Sequence, residues 1–199
     1  DGFHLWSETY DRSFDDILAI QRDIATQVAT ELNVLLSDDS KARLVREPTT
    51  SSSAYNQYLK GRQILRQPGE NEGLAEAQEL FEKATDLDPR FPLAYAGLCE
   101  THLARYRLTR SVESFEQAEI ACHRALTLDG GLAEVYTALG NLYRHSGQYI
   151  KAEQEYQIAL GINPMLEEAN FGLGRAYQGQ GRILEAETTL RRSIEMEPG

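Results

Sequence analysis

A repeat period of 34 residues constrains this chain more than any other feature of its sequence. From Tyr136 it reads Tyr136-x2-Leu139-Gly140-x2-Tyr143, then Gly147, Ala152, Tyr156, Ala159 and Pro164. Thirty-four residues on, the pattern returns as Asn170-x2-Leu173-Gly174-x2-Tyr177, with Gly181, Ala186, Leu190, Ser193 and Pro198. Each unit predicts two antiparallel helices. Small residues at Gly140, Ala152 and Ala159 let the helices approach closely, and Tyr143 and Tyr156 fill the space that remains. Gly147 supplies a left-handed stop for the first helix, while Pro164 and Pro198 end the second.

Two earlier units are less regular. One ends at Ala84-Thr85-Asp86-Leu87-Asp88-Pro89, with Ala77 and Phe81 in its second helix. The other ends at Ala125-Leu126-Thr127-Leu128-Asp129-Gly130, with Ala118 and Cys122 in the corresponding slots. In the regular units the aromatic slot precedes the terminal Pro by 28 residues, Tyr136 to Pro164. Tyr55 to Pro89 spans 34 and Tyr95 to Gly130 spans 35, which leaves excesses of six and seven. The first reads as a loop over Gln67–Gly73, and the second, lacking Gly and Pro, as an extended first helix over Ala104–Ser111.

This pattern resembles the tetratricopeptide repeat. The resemblance implies a right-handed helical-hairpin solenoid of four units, at about 54–89, 91–130, 132–164 and 166–198. It also implies a non-catalytic scaffold that binds a protein or peptide partner.

The first fifty residues differ in kind. Phe3–Tyr10 favours β structure and reads as one short strand. Ile17, Ile20, Ile24, Val28 and Leu32 recur at helical spacing and predict an amphipathic helix over roughly 14–35, with a second short helix at 38–46. Pro48–Ser53 reads as a linker whose last serines can cap the first repeat. Asp1-Gly2-Phe3-His4-Leu5-Trp6, followed by Asp15-Asp16-Ile17-Leu18-Ala19-Ile20, resembles the end of a TolB-like module of bacterial signalling proteins, and Tyr58-Leu59-Lys60-Gly61 is similar to the way that family opens its first repeat. On this resemblance residues 1–47 are a truncated α/β module. The parent protein would then be longer and carry an output domain such as a nucleotide cyclase, a kinase or a winged-helix domain. The start at Asp1, without an initiator Met or signal peptide, fits the same expectation.

Charge and motifs narrow the function. The 199 residues carry 20 Lys+Arg and 31 Asp+Glu, a formal −11. That balance opposes nucleic-acid binding, which needs a basic field. Arg105, Arg107 and Arg110 read as a solvated helix extension, since no aromatics interleave them. No apolar run approaches the roughly 18 residues of a membrane span. No phosphate-cradling Gly-rich loop, His-Glu-x2-His or Gly-x-Ser-x-Gly occurs, and the four His are scattered. No catalytic residue, metal or cofactor is expected. Cys99-x2-His102 and Cys122-His123 do not make a metal set, because adjacent helical side chains diverge by about 100°. Cys99 stands in the Gly slot and Cys122 in the bulky slot of one unit. They read as small buried hydrophobes, with a disulfide as the lesser alternative, so either cytoplasm or periplasm would suit them.

Stacked hairpins place the first helices on the concave side, and residues between the packing slots line the groove. The first unit offers Asn56, Lys60 and Gln63, and the second Leu93, Ala96 and Glu100. Glu134, Thr137, Asn141 and Arg144 follow in the third, and Glu168, Phe171, Arg175 and Gln178 in the fourth. Asn141, Arg144 and Arg175 suit a peptide backbone or a carboxylate. The Lys and Asn clamp of the chaperone-binding subclass is absent, since Thr137 precedes Asn141 and Phe171 precedes Arg175. At the far end Leu184, Leu190 and Ile194 form an apolar stripe, which suggests a continuing chain or a homodimer through the chain ends.

Overall fold

The structure, a computed structural model, describes residues 17–31, 47–66 and 71–196. Helix α1 spans Ile17–Glu31. Four helical pairs follow: α2 Ser52–Arg66 with α3 Asn71–Leu87, α4 Pro92–Thr109 with α5 Val112–Leu128, α6 Ala133–His145 with α7 Tyr149–Ile162, and α8 Glu167–Gly179 with α9 Ile183–Met196. The first helices α2, α4, α6 and α8 touch in succession and form the inner layer. Each second helix packs on its own first helix and, in the first three units, on the first helix of the next unit, so the core runs between the layers.

One packing seam recurs in every unit. A Cβ on Gly140 would lie 2.6 Å from the Tyr156 ring, one on Gly174 would lie 2.6 Å from Leu190, and one on Gly61 would lie 2.8 Å from Phe81. A glycine on the first helix therefore meets a large residue on the second. In the second unit the same two places hold Cys99 and Cys122, whose Cα atoms are 5.2 Å apart and whose sulfurs are bonded. The buried-hydrophobe reading of these cysteines is thus corrected: the two slots that meet across the seam are also the two that a disulfide can bridge.

Caps and turns follow local chemistry. Ser51 Oγ accepts from the Ala54 amide to start α2, and Ser111 Oγ accepts from the Ser114 amide to start α5. Gly147 and Gly181 turn the chain at φ 76° and 77°, a region that disfavours side chains. The first helix of the second unit runs on to Thr109 and stops at Arg110, which is left-handed without being glycine. Asn71, Glu72 and Gly73, expected in a loop over Gln67–Gly73, belong to α3, and Gln67–Glu70 lie outside the described residues.

The fold class needs a correction. The described residues form an all-α solenoid, with nine helices and no strand among them, and no α/β module precedes the repeats in the described part. A strand needs a partner for its edges, and every described residue before the repeats is in α1 or in the turn at 47–51. The expected strand at Phe3–Tyr10 and the short helix at 38–46 lie outside the described residues.

Candidate functional site

The seam fixes which residues face the groove. In the third unit Asn141 follows Gly140, and Glu100 and Arg175 follow Cys99 and Gly174 in the second and fourth. In the first unit Gly61 is the residue against Phe81, so the equivalent position is Arg62. Lys60 is exposed and Asn56 half-buried, and neither lines the cavities described below. The sequence pattern aligns this unit on Tyr55. Gly61 is the better anchor, because only the close approach to Phe81 demands a glycine there.

Arg62 crosses the groove. Its Nη1 lies 2.6 Å from Glu100 Oε2, and its Nη2 lies 2.6 Å from Glu168 Oε1, on the first helix of the fourth unit. The Arg62 side chain is 13% exposed. Its affinity for the proton is raised further, first by the charge of Glu100. Glu100 is held above the ordinary carboxylate range, toward neutrality, because burial and the nearby Glu168 and Glu134 outweigh the pull of Arg62.

This bar divides the concave face into two chambers. The larger, about 1030 Å³, has Tyr55, Tyr58, Leu59 and Leu93 as its wall and Glu134 and Glu168 at its rim. Burial pushes the Tyr58 hydroxyl up, and its ring packs edge-on to Phe91 at 5.3 Å. The smaller, about 560 Å³, is floored by Leu65, Leu103 and Phe171 and bordered by Arg66, Arg107 and Arg144.

Asn141 and Arg144 are held in place by a residue from the second layer. Tyr156 is fully buried, yet its hydroxyl reaches the groove, donating to Asn141 Oδ1 at 2.7 Å and accepting from Arg144 Nε at 3.3 Å. Burial raises the Tyr156 hydroxyl to about 12. Arg144 Nη2 also lies 3.0 Å from His145 Nε2. Arginine has no acceptor, so this His145 nitrogen accepts and the ring is neutral. Burial, then the charges of Arg144, Arg107 and Arg110, depress His145 to about 4. Phe171 is 52% exposed on the chamber floor. Arg175 donates to Gln178 at 2.8 Å, and this exposed pair lines neither chamber.

Family comparison meets this geometry in the most regular part of the chain. Residues 140–181 match the family described as TPR repeat, and residues 167–199 match the tetratricopeptide repeat. Residues 140–199 carry tetratricopeptide repeats. Its solenoid superposes on a thermophilic TPR protein from Thermus thermophilus with a TM-score of 0.61, at 22% identity, covering 89% of this chain and 92% of that one. The first TPR of Spaghetti (RPAP3), bound to the HSP90 peptide SRMEEVD, gives a TM-score of 0.52 at 22% identity, covering 67% of this chain and 99% of that one. At these identities the likeness is one of fold. "Putative adenylate cyclase 3" of Rhizobium meliloti (strain 1021) is 29% identical over 97 residues, 49% of this chain. That match spans 16% of the cyclase's length.

Proposed function

We propose that this repeat array is a non-catalytic interaction module of a larger bacterial signalling protein, and that it binds a peptide or partner domain in its concave groove. The observation that carries the reading is the groove itself. Two chambers open on the inner layer, and Asn141 and Arg144 are held rigid there by a buried tyrosine hydroxyl. A preorganised polar pair beside an apolar floor is what a binding site needs and what packing alone does not require. The peptide held by the RPAP3 domain supports the same use of the fold. The likeness to the cyclase supports a role as the regulatory arm of a nucleotide cyclase. The test is capture from a bacterial lysate by the wild-type chain against an Asn141/Arg144/Arg175 triple alanine, with helicity checked by circular dichroism. Loss of a partner supports the groove, and equal recovery of every partner overturns it.

A second reading rests on α9, where Ile183, Leu184 and Ile194 are 61%, 81% and 70% exposed. This face would join two copies of the chain. Light scattering of a concentration series tests it, with a monomer at every concentration as the contrary result. As to compartment, the Cys99–Cys122 bond favours periplasm over cytoplasm. Free thiols in protein trapped with alkylating agent directly from cells would reverse that assignment.

A further inference from the structure

The smaller chamber has a charge that its surroundings leave uncancelled. Arg66 and Arg107 border it, are exposed, and have no carboxylate partner among the described residues. Among the described residues Arg144 is engaged only with the neutral groups of Asn141, Tyr156 and His145. On the acidic side Glu100 and Glu168 are both spent on Arg62, which leaves Glu167, among the described residues, as the unpaired carboxylate at the rim. With Arg62 counted, four guanidiniums thus face three carboxylates, one of which, Glu100, is held toward neutrality, in a chain whose formal charge is −11. The depressed proton affinity of His145 reports the same excess, since after burial its causes are Arg144, Arg107 and Arg110. Between the arginines lies an apolar floor of Leu65, Leu103 and the half-exposed Phe171.

We propose that this chamber takes an acidic segment of a partner protein, with one apolar side chain seated on Leu65, Leu103 and Phe171. The inference rests on the groove reading above and deepens it. Arg107, read from the sequence as part of a solvated spur, becomes a contact residue because the extended α4 carries it along the inner layer to the chamber rim. The recognition is of side-chain carboxylates within a segment. Guanidinium forks match carboxylates in pairs, so several weak contacts add up on a flexible ligand. The Arg62 bar forms the wall toward the larger chamber, where Glu134 would repel the same ligand.

The experiment uses the full chain and fluorescence anisotropy. The probe is a blocked seven-residue peptide with a central Leu flanked by three Glu on each side, and its counterpart replaces every Glu by Lys. The Glu peptide is expected to bind at least tenfold more tightly than the Lys peptide. R66E/R107E should weaken it at least tenfold, and 0.5 M salt should weaken it further. K83E, on the outer face, should change it less than twofold. Both arginines are exposed, so these variants keep the fold, and circular dichroism checks that they do. Tighter binding of the Lys peptide, or binding indifferent to R66E/R107E, overturns the proposal. If the Lys peptide wins and F171A abolishes its binding, the groove reading stands and only the acidic assignment falls. If neither peptide binds, this inference is rejected, and the lysate capture separately decides the groove.

Discussion

The second and third units close the same seam with different chemistry. The third uses Gly140 against Tyr156, a close approach that fills the core and sends a hydroxyl through to the groove. The second uses a covalent bond between Cys99 and Cys122, both fully buried, and sends nothing through. The groove residues above the two seams differ accordingly. Asn141 is organised by its own unit, whereas Glu100 is paired by Arg62 from the first unit. The following unit also feels the difference. Tyr156 presses on Gly172, where a Cβ would lie 2.4 Å from the ring, while at the same step after the smaller Cys122 the chain has Ala138. A single seam position thus sets the core volume, the tolerance of the next helix and the chemistry of the binding face.

The largest test removes the large seam residue. Y156A should lower unfolding free energy by about 3–5 kcal/mol in a urea titration, as for other buried aromatics. A loss under about 1 kcal/mol, the scale of an ordinary substitution, would show that Tyr156 does not set the core volume of the third seam. Reduction of the second seam comes next. Opening the Cys99–Cys122 loop, a separation of 23 residues, should lower stability by about 3 kcal/mol, and thiol titration should find no free cysteine beforehand. Equal stability with and without reductant would leave packing, not the bond, as what holds that unit.

Y156F sharpens the contrast within one seam. It keeps the ring and removes the hydroxyl that serves Asn141 and Arg144, so about 1 kcal/mol should be lost. Groove binding should weaken more than stability does, and an unchanged affinity would detach the hydroxyl from function.

The smallest effect concerns Glu100. Its proton affinity is raised on folding, so its contribution is full below the ordinary carboxylate range and fades as pH climbs through the raised value. His145 runs the other way, since its depressed value makes its contribution fade as pH falls from 6.5 toward about 4. Between pH 6.5 and 8 the loss from Glu100, about 1 kcal/mol, is offset in part by gains from His145 and His102, so the thermal midpoint should fall by at most roughly 2–4 °C. E100Q should flatten that slope, and a variant that keeps the wild-type slope would place the titrating group elsewhere.

Much of this architecture is readable from residue types alone. The Gly140/Tyr156 and Gly174/Leu190 spacings, each sixteen residues, announce two helices in close contact. The first unit misleads because Tyr55 and Tyr58 both suit an aromatic slot, and only the approach of Phe81 identifies Gly61 as the anchor. Arg62 escapes the sequence pattern for that reason. Its bond to Glu168 joins residues 106 apart in sequence and depends on how four units curve, which no local pattern encodes. The disulfide slots are visible, but their pairing follows only once the seam is known to bring them together. The arginines of the smaller chamber show the same limit. Arg66, Arg107 and Arg144 lie on three different helices, and the stacking of α2, α4 and α6 gathers them.

The contact between Arg62 and Glu168 has a mechanical side as well. Stacked repeats ordinarily behave as a line in which each unit feels only its neighbours. A tie from the first unit to the fourth turns that line into a closed loop, like a coil spring with a thread fastened across its bore. Stretching the coil must snap the thread before the pitch can change, and the two ends lose their freedom to fray independently. A force or a neighbouring domain acting on α2 would then be registered at α8 without passing through the units between.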